Sequence, residues 1–380
     1  MDKIQMVDLY TQYVKIKDEV DQAVFSVLES SAFINGPEVK LFSEELSKYL
    51  GGSYVIPCAN GTDAIQIALM ALELQRGDEI LVPNFTYAAT AEVIALLGLS
   101  PVFVDVEPGS FNINIEDLKR KITNNTKAII PVHLYGQCAE MESVLQIANE
   151  HQLFVVEDTA QSLGAKYRFL NGTSSYAGTL GDFGITSFFP SKNLGCYGDG
   201  GALITNKEEL AIKARMIANH GQKKKYYHDI IGCNSRLDSI QAAILRVKLK
   251  YLDQYTKARQ KAAEIYDYAL KDIPALRIPS RVTFSDHVFN QYTIQIQNGS
   301  ENSLNRDQIK SKLAEYGIPS MIYYPLPLHL QKAFRKPDQE ENAFPVSQAL
   351  THSVLSLPIH PEITLSQQEF IIDKLCLTVK

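Results

Sequence analysis

Apolar residues recur at helical spacing from the start of the chain. Val14, Ile16, Val20, Val24, Val27 and Leu28 follow one helical pattern that opens near Asp8 and breaks at Ile34-Asn35-Gly36-Pro37. Pro37 then opens a second helix with Val39, Phe42, Leu46 and Leu50 on its apolar face and Gly51-Gly52 as its stop. These helices read as an N-terminal arm. Beyond it the period changes: a short continuous apolar run, Tyr54-Val55-Ile56-Pro57-Cys58, leads through Asn60-Gly61-Thr62-Asp63-Ala64 into an apolar helix at 65–74. The alternation repeats with strands at 79–82, 101–104, 128–132 and 154–157 and helices at 88–97, 115–121 and 141–151. Asn114, three residues before Asp117, is placed to cap the helix at 115.

Continuously apolar strands separated by helices are the pattern of a parallel sheet covered on both faces, so the expected fold class is α/β with a mostly parallel central sheet. A further strand at 202–205, a helix at 207–220 and a long helical stretch at 237–272 follow. After them the pattern alternates along Phe289-Asn290-Gln291-Tyr292-Thr293-Ile294-Gln295-Ile296, with helices expected at 306–316 and 366–377. The change of pattern divides the chain into a large α/β domain with its arm, 1–250, and a smaller C-terminal α+β domain, 251–380.

At 380 residues, 45% of them hydrophobic, the chain can bury a core of that size. The net charge of -6 and the absence of a Lys/Arg-rich arm give no electrostatic case for nucleic acid or for an anionic membrane. No leader-like apolar core and no run long enough to span a bilayer is present, so the expected location is cytoplasmic. Five widely spaced cysteines without a Cys-x-x-Cys pair suggest neither a disulfide framework nor a metal site.

The chemistry concentrates in Thr186-Ser187-Phe188-Phe189-Pro190-Ser191-Lys192-Asn193-Leu194-Gly195-Cys196-Tyr197-Gly198-Asp199-Gly200-Gly201, where one lysine stands between an apolar run and a glycine cluster. A partly desolvated Lys192 could form a Schiff base with an aldehyde such as pyridoxal phosphate; a solvated lysine before a turn is the alternative. Asp158 ends a predicted strand, where open α/β sheets bind ligands, and could pair with a pyridine nitrogen or cap a helix. Glu157 beside it must face the other way. Gly61 and Thr62 offer backbone N–H groups at a helix N-terminus, a setting for a phosphate or simply a cap. The spacing fits neither a P-loop nor a dinucleotide fingerprint. Tyr87, with Phe85 as its competitor, could lie flat on a ring or belong to the core. The run Lys223-Lys224-Lys225-Tyr226-Tyr227-His228 is either a solvated loop or a flap over an anionic nucleotide.

The lysine segment resembles that of the DegT/StrS-type nucleotide-sugar aminotransferases, pyridoxal-phosphate enzymes of the aspartate aminotransferase fold type I. Matching segments run from Asn35-Gly36-Pro37-Glu38 to Tyr324-Pro325-Leu326-Pro327-Leu328-His329. The resemblance implies Lys192 and Asp158 as catalytic residues and Gly61, Thr62, Tyr87, Gln161, Ser187 and Asn234 as further cofactor contacts. Gln161 would lie near the ring hydroxyl and Ser187 on the phosphate. Tyr324, His329 and Arg236 would face substrate, with a core role open for Tyr324 and His329. It further implies a homodimer with shared sites, in which Asn234 reaches the partner's cofactor unless Asn234 or Ser235 is a plain helix cap. L-glutamate would leave its amine as pyridoxamine phosphate for a keto sugar nucleotide. The flanking segments look most like members acting on a UDP-2-acetamido-2-deoxy-3-oxo-hexuronic acid for surface polysaccharide or related glycans. C3 or C4 ketones of dTDP-, GDP- or UDP-linked deoxyhexoses are the alternatives. A dehydratase branch replaces the lysine with histidine, and a non-catalytic regulator on the same fold should lose the lysine or the aspartate; neither change is present.

Overall fold

Proline and the short polar residues set the helix starts in the computed structural model, which describes residues 3–297, 304–335 and 341–379. Asp8 caps Leu9–Lys15, Pro37 is the first residue of Pro37–Tyr49, and the side chains of Asn60, Asn114 and Asp238 each accept the backbone N–H three residues on. The arm helix expected from Asp8 is split at Ile16, with Lys17–Ser30 as its second part. The helix expected at 65–74 spans Gly61–Ala71, so the Gly61-Thr62 turn forms its first turn.

Strands β1 (Tyr54–Cys58), β2 (Glu79–Pro83), β3 (Ser100–Val104), β4 (Thr126–Ile129), β5 (Phe154–Asp158), β6 (Phe183–Ser187) and β7 (Gly201–Thr205) form a seven-stranded sheet in the order β1-β7-β6-β5-β4-β2-β3. The pairs from β6 to β3 are parallel, and β7 runs antiparallel to both β1 and β6. The reversal follows from the connection. Residues 188–200 contain no crossover helix, so the chain must double back beside β6. Successive side chains divide between two cores: Ile80, Val82 and Val156 pack with Gly61–Ala71, Ala89–Leu96 and Glu208–Ala218, whereas Leu81, Ile129 and Val155 pack with Met141–His151.

Strand β6 has no continuous apolar run because Gly184 and Thr186 interrupt it, so sequence pattern alone does not mark it. Gly184 is required by packing: a Cβ there would lie 2.1 Å from the carbonyl oxygen of Gly178. Likewise, the helix expected at 237–272 is two helices, Ser239–Leu249 and Leu252–Leu270. Ala242 and Leu245 of the first pack with Phe42 and Phe188, while Ala262, Tyr266 and Leu270 of the second enter a separate core. That second core contains the antiparallel strands Leu276–Arg277, Tyr292–Ile296 and Val354–Leu357 and the helices Arg306–Glu315 and Leu365–Val379. Ile4 also packs there, bringing the start of the chain to the C-terminal elements. Strand Val354–Leu357 and helix Pro345–Ser353 are further elements that the periodicity leaves unmarked.

Because the obstacle at Gly184 is backbone rather than a movable side chain, Gly184→Ala is expected to destabilise the protein by about 3 kcal/mol or more. Urea unfolding checks this; a midpoint equal to that of the parent would show that the Gly178 turn yields freely.

Candidate functional site

The carboxyl ends of the parallel strands converge where the order reverses around β7. Gly201 opens β7 and stands in register with Cys58 at the end of β1 and with Ser187 at the end of β6. This brings Gly61 against Ser187, so that a Cβ on Gly61 would sit 2.9 Å from the Ser187 Cβ. As the first two residues of their helix, Gly61 and Thr62 have no intrahelical acceptor for their N–H groups. Two backbone donors and the Ser187 hydroxyl therefore meet at one helix N-terminus, a donor set suited to a phosphate.

At the end of β5 the neighbouring carboxylates separate to opposite faces. Glu157 is fully buried and saturated: Oε1 accepts from the N–H groups of Leu180 and Gly181 at 2.7 and 2.8 Å, and Oε2 from Gly178 N–H and His133 Nε2 at 2.9 and 3.0 Å. His133 Nδ1 accepts from Ala139 N–H at 3.1 Å, which leaves the ring proton on Nε2 for Glu157. Asp158 instead accepts from Thr90 Oγ1 at 2.9 Å and from Ala160 N–H at 3.1 Å. Its backbone N–H is bound by Pro131 and its carbonyl by His133 N–H, fixing the strand end from both sides. Thr90 has no sequence signal beyond being a polar residue in a mostly apolar helix.

Lys192 follows a tight turn in which its N–H donates to Phe189 O at 2.9 Å and Cys196 N–H returns to Phe188 O at 2.8 Å. Phe188 is buried edge-on against Phe42, whereas Phe189 is half exposed, so only the first of these two aromatics belongs to the interior. The Lys192 side chain retains some exposure, yet enough protein surrounds its amine to push the pKa below the ordinary lysine value by desolvation, against the opposing pull of the Asp158 carboxylate. The result is an amine that loses its proton more readily than a surface lysine and lies within electrostatic reach of Asp158.

The aromatic candidates part company. Phe85 is buried in the core, and Tyr87 is 61% exposed, with its ring centroid 6.3 Å from that of Tyr324. Tyr324 also meets Phe85 edge-on, and its hydroxyl accepts from Gln161 Nε2 at 3.1 Å. Gln161 is oriented by Tyr135 N–H, which donates to its Oε1 at 2.8 Å. Asp158 and Ser187 thus stand at the carboxyl ends of neighbouring strands, Gly61 and Thr62 at a helix start, and Gln161, Lys192, Tyr87 and Tyr324 on loops. His329 is fully buried: Asn84 holds its backbone N–H at 3.0 Å, and its ring packs on Phe344, which ties the 326–330 segment to the Asn84–Tyr87 loop. Its placement corresponds to the core alternative.

Asn234 and Arg236 lie apart from these contacts. Asn234 is exposed and makes no described side-chain hydrogen bond, although its backbone bridges Asn219. Between them Ser235 is buried and accepts Ala59 N–H at 3.1 Å. The following helix is capped by Asp238, so the plain-cap reading of Asn234 and Ser235 is replaced. Arg236 lines a groove with Gly36, Glu44 and Arg215. The Lys223–Tyr227 run forms an exposed two-stranded ribbon, Gln222–Lys224 with Tyr227–His228, in which lysines lie over tyrosine rings. Among the described residues there is no cluster able to hold a metal ion and no helix long and apolar enough to cross a membrane.

Residues 14–376 match the sequence model of the DegT/DnrJ/EryC1/StrS aminotransferase family. The chain is 42% identical over 368 residues to the UDP-2-acetamido-2-deoxy-3-oxo-D-glucuronate aminotransferase of Pseudomonas aeruginosa, covering 97% of this chain and 98% of that one. It is 45% identical over 374 residues to a protein of Geobacillus stearothermophilus named pleiotropic regulatory protein, covering 98% and 97%. Among solved structures, a DegT DnrJ EryC1 StrS aminotransferase from Brucella abortus superposes with a TM-score of 0.91 at 41% identity over 99% of this chain and 100% of that one. NtdA from Bacillus subtilis with bound cofactor PMP superposes at 0.89 with 31% identity, covering 100% and 86%.

Crowding Ser187 should cost the phosphate contacts selectively. Gly61→Ala is expected to weaken pyridoxal phosphate binding by about tenfold or more, the loss of one to two charge-assisted hydrogen bonds. Spectral titration of the cofactor-free protein measures it, and an unchanged Kd would put the phosphate elsewhere.

Proposed function

The chain belongs to the DegT/DnrJ/EryC1/StrS aminotransferase family, and we propose that it moves an amino group from L-glutamate to the C3 ketone of a UDP-linked 2-acetamido-2-deoxy-3-oxo-hexuronic acid. The enzyme is pyridoxal-phosphate dependent, and the bound cofactor supplies an electron sink for the carbon that gains and loses its proton. The observation that carries the reading is the Lys192 amine, largely withdrawn from water within the loop after β6 and within electrostatic reach of the Asp158 carboxylate that ends β5. The substrate assignment is supported by the name of the Pseudomonas relative.

Each residue has a stated task in this reading. Gly61 and Thr62 N–H with the Ser187 hydroxyl bind the phosphate, and Tyr87 provides the flat contact for the ring. Asp158, steadied by Thr90, pairs with the pyridine N–H and keeps it protonated. Gln161 presents its amide N–H toward the ring hydroxyl, sharing that donor with Tyr324. Lys192 Nζ would hold the cofactor's aldehyde, and its free amine would carry the proton that leaves the carbon of the amino donor. Tyr324 and Arg236 are proposed to contact substrate. Residues 1–250 carry the cofactor and 251–380 close over it from the second core.

The homodimer belongs to the same proposal. Tyr10, Val14, Phe25 and Leu28 leave apolar surface exposed on the arm, and Ile231 is 85% exposed close to Asn234, whose side chain has no described partner within its own subunit. Asn234 is therefore proposed to donate to the partner's phosphate. The regulatory reading that the Geobacillus relative's name suggests lacks its expected signature here, since Lys192 and Asp158 are both retained.

Purified protein given L-glutamate and a panel of keto sugar nucleotides should yield a product whose mass reports the exchange of carbonyl oxygen for an amine. Lys192→Ala should bind cofactor reversibly and lower turnover by about a thousandfold or more. Turnover with dTDP-linked deoxyhexoses alone would redirect the substrate assignment, and normal turnover by Lys192→Ala would end the mechanism. Refolding Lys192→Ala together with Asn234→Asp should restore activity in mixed dimers, because one site then carries both lesions and the other neither. A mixture as inactive as its parents would keep Asn234 out of the partner's site.

A further inference from the structure

The residue after the reactive lysine is buried and committed to a distant segment. Asn193 is 6% exposed; its Nδ2 donates to Val288 O at 3.2 Å, and its Oδ1 accepts from Asn290 Nδ2 at 2.9 Å. Asn290 is itself buried. Two buried amides spent on each other and on one carbonyl form a specific latch, because removing either leaves polar groups without partners in a place water does not reach.

The segment they grip is held unusually firmly. Phe289 adopts φ 47°, a left-handed conformation that bulky residues rarely take. Its carbonyl accepts from Arg259 Nη1 at 3.2 Å, and the same guanidinium reaches Ile359 O at 2.9 Å. Phe289 N–H donates to His287 Nδ1 at 3.0 Å, while the His287 ring stacks on Phe289 at 3.8 Å and 3°. Burial, with the nearby Arg281 charge, pushes His287 down to about 3, so this acceptor stays unprotonated at neutral pH. On the other side Val288 N–H donates to Gly136 O at 2.9 Å, and Gln291 N–H to Tyr135 O at 3.3 Å; Tyr135 is the residue whose N–H orients Gln161. The strained turn therefore touches both the lysine loop and the loop that aims Gln161.

We propose that Asn193 and Asn290 are positioning residues for Lys192, latching the lysine loop to the His287–Asn290 turn so that the amine is held at a fixed distance from Asp158. The turn at Phe189 fixes the loop on the N-terminal side of Lys192, and the Asn193 latch fixes it on the C-terminal side. Without the latch the amine gains freedom to move toward water. This inference rests on the reading of Lys192 as the reactive amine, but its first readout needs neither cofactor nor substrate.

Cofactor-free protein is labelled by reductive methylation across a pH series, and the Lys192 peptide is followed by mass spectrometry with exposed Lys127 as the internal control. In Asn290→Ala the midpoint for Lys192 should rise by about half a pH unit or more toward that of an ordinary lysine, with Lys127 unchanged. In the cofactor-loaded enzyme kcat should fall about tenfold with KM for the keto sugar within about twofold, and Asn193→Ala with Asn290→Ala should cost little more than Asn193→Ala alone. Asn290→Ser, whose hydroxyl is too short to reach Asn193, repeats the labelling should the alanine variant fold poorly. A lowered melting temperature with an unmoved Lys192 midpoint would overturn the proposal and leave the pair a purely structural role. A shifted midpoint in a protein that transaminates none of the sugars would uphold the latch while removing the proposed reaction.

Discussion

Two adjacent carboxylates at the end of one strand are given opposite environments, and the site depends on that separation. Glu157 points into the protein, where three backbone N–H groups and the His133 imidazole saturate both oxygens. A buried charge is tolerable only when it is compensated in this way. The bonds fasten β5 to the 178–181 turn, and that turn feeds β6 and Ser187. Asp158 is thereby set on the other face, steadied by Thr90, with charge to offer the site.

The second organising fact is the return of the chain through the lysine loop. With no helix between β6 and β7, the connection comes back along the same edge, and Gly201 meets both Cys58 and Ser187 in register. Lys192, Ser187 and the Gly61-Thr62 helix start converge because the sheet reverses there, which is where an open α/β sheet leaves a crevice. The aromatic side of the site is assembled differently, by the C-terminal region: Tyr324 is brought between Phe85 and Tyr87 and bonded to Gln161. Burial and Asp158 then act in opposite directions on the lysine, with desolvation the larger effect. In the proposed reaction, where this amine is to be both nucleophile and proton carrier, that balance is the useful one.

Besides the aromatic packing of Tyr324, specific polar pairs join the C-terminal region to the loops of the site. The Asn193–Asn290 latch joins the lysine loop to the turn before strand Tyr292–Ile296, and Asn84 joins the Tyr87 loop to the 328–330 turn through His329. Residues placed far apart in sequence are in this way given one geometry.

Periodicity by itself determined the α/β class, most of the strands, the helix caps at Asn114 and Gly51, and, through the alternation of a strand, the opposite facing of Glu157 and Asp158. These are local properties, set within a few residues by side-chain size and polarity. The pattern around Lys192, with the family resemblance it carries, was enough to identify the chemistry. Tertiary structure alone decided what depends on packing between distant segments. It made Tyr87 rather than Phe85 the exposed ring, buried His329, replaced Asn234 by Asp238 as the helix cap, and divided the helix at 250–251 between two cores. Strand β6 was hidden because Gly184 answers to the Gly178 carbonyl, a neighbour that no periodicity along the chain can register. Thr90, His133 and Asn290 were invisible for the same reason: a hydrogen bond across tens of residues leaves no trace in the spacing of either partner.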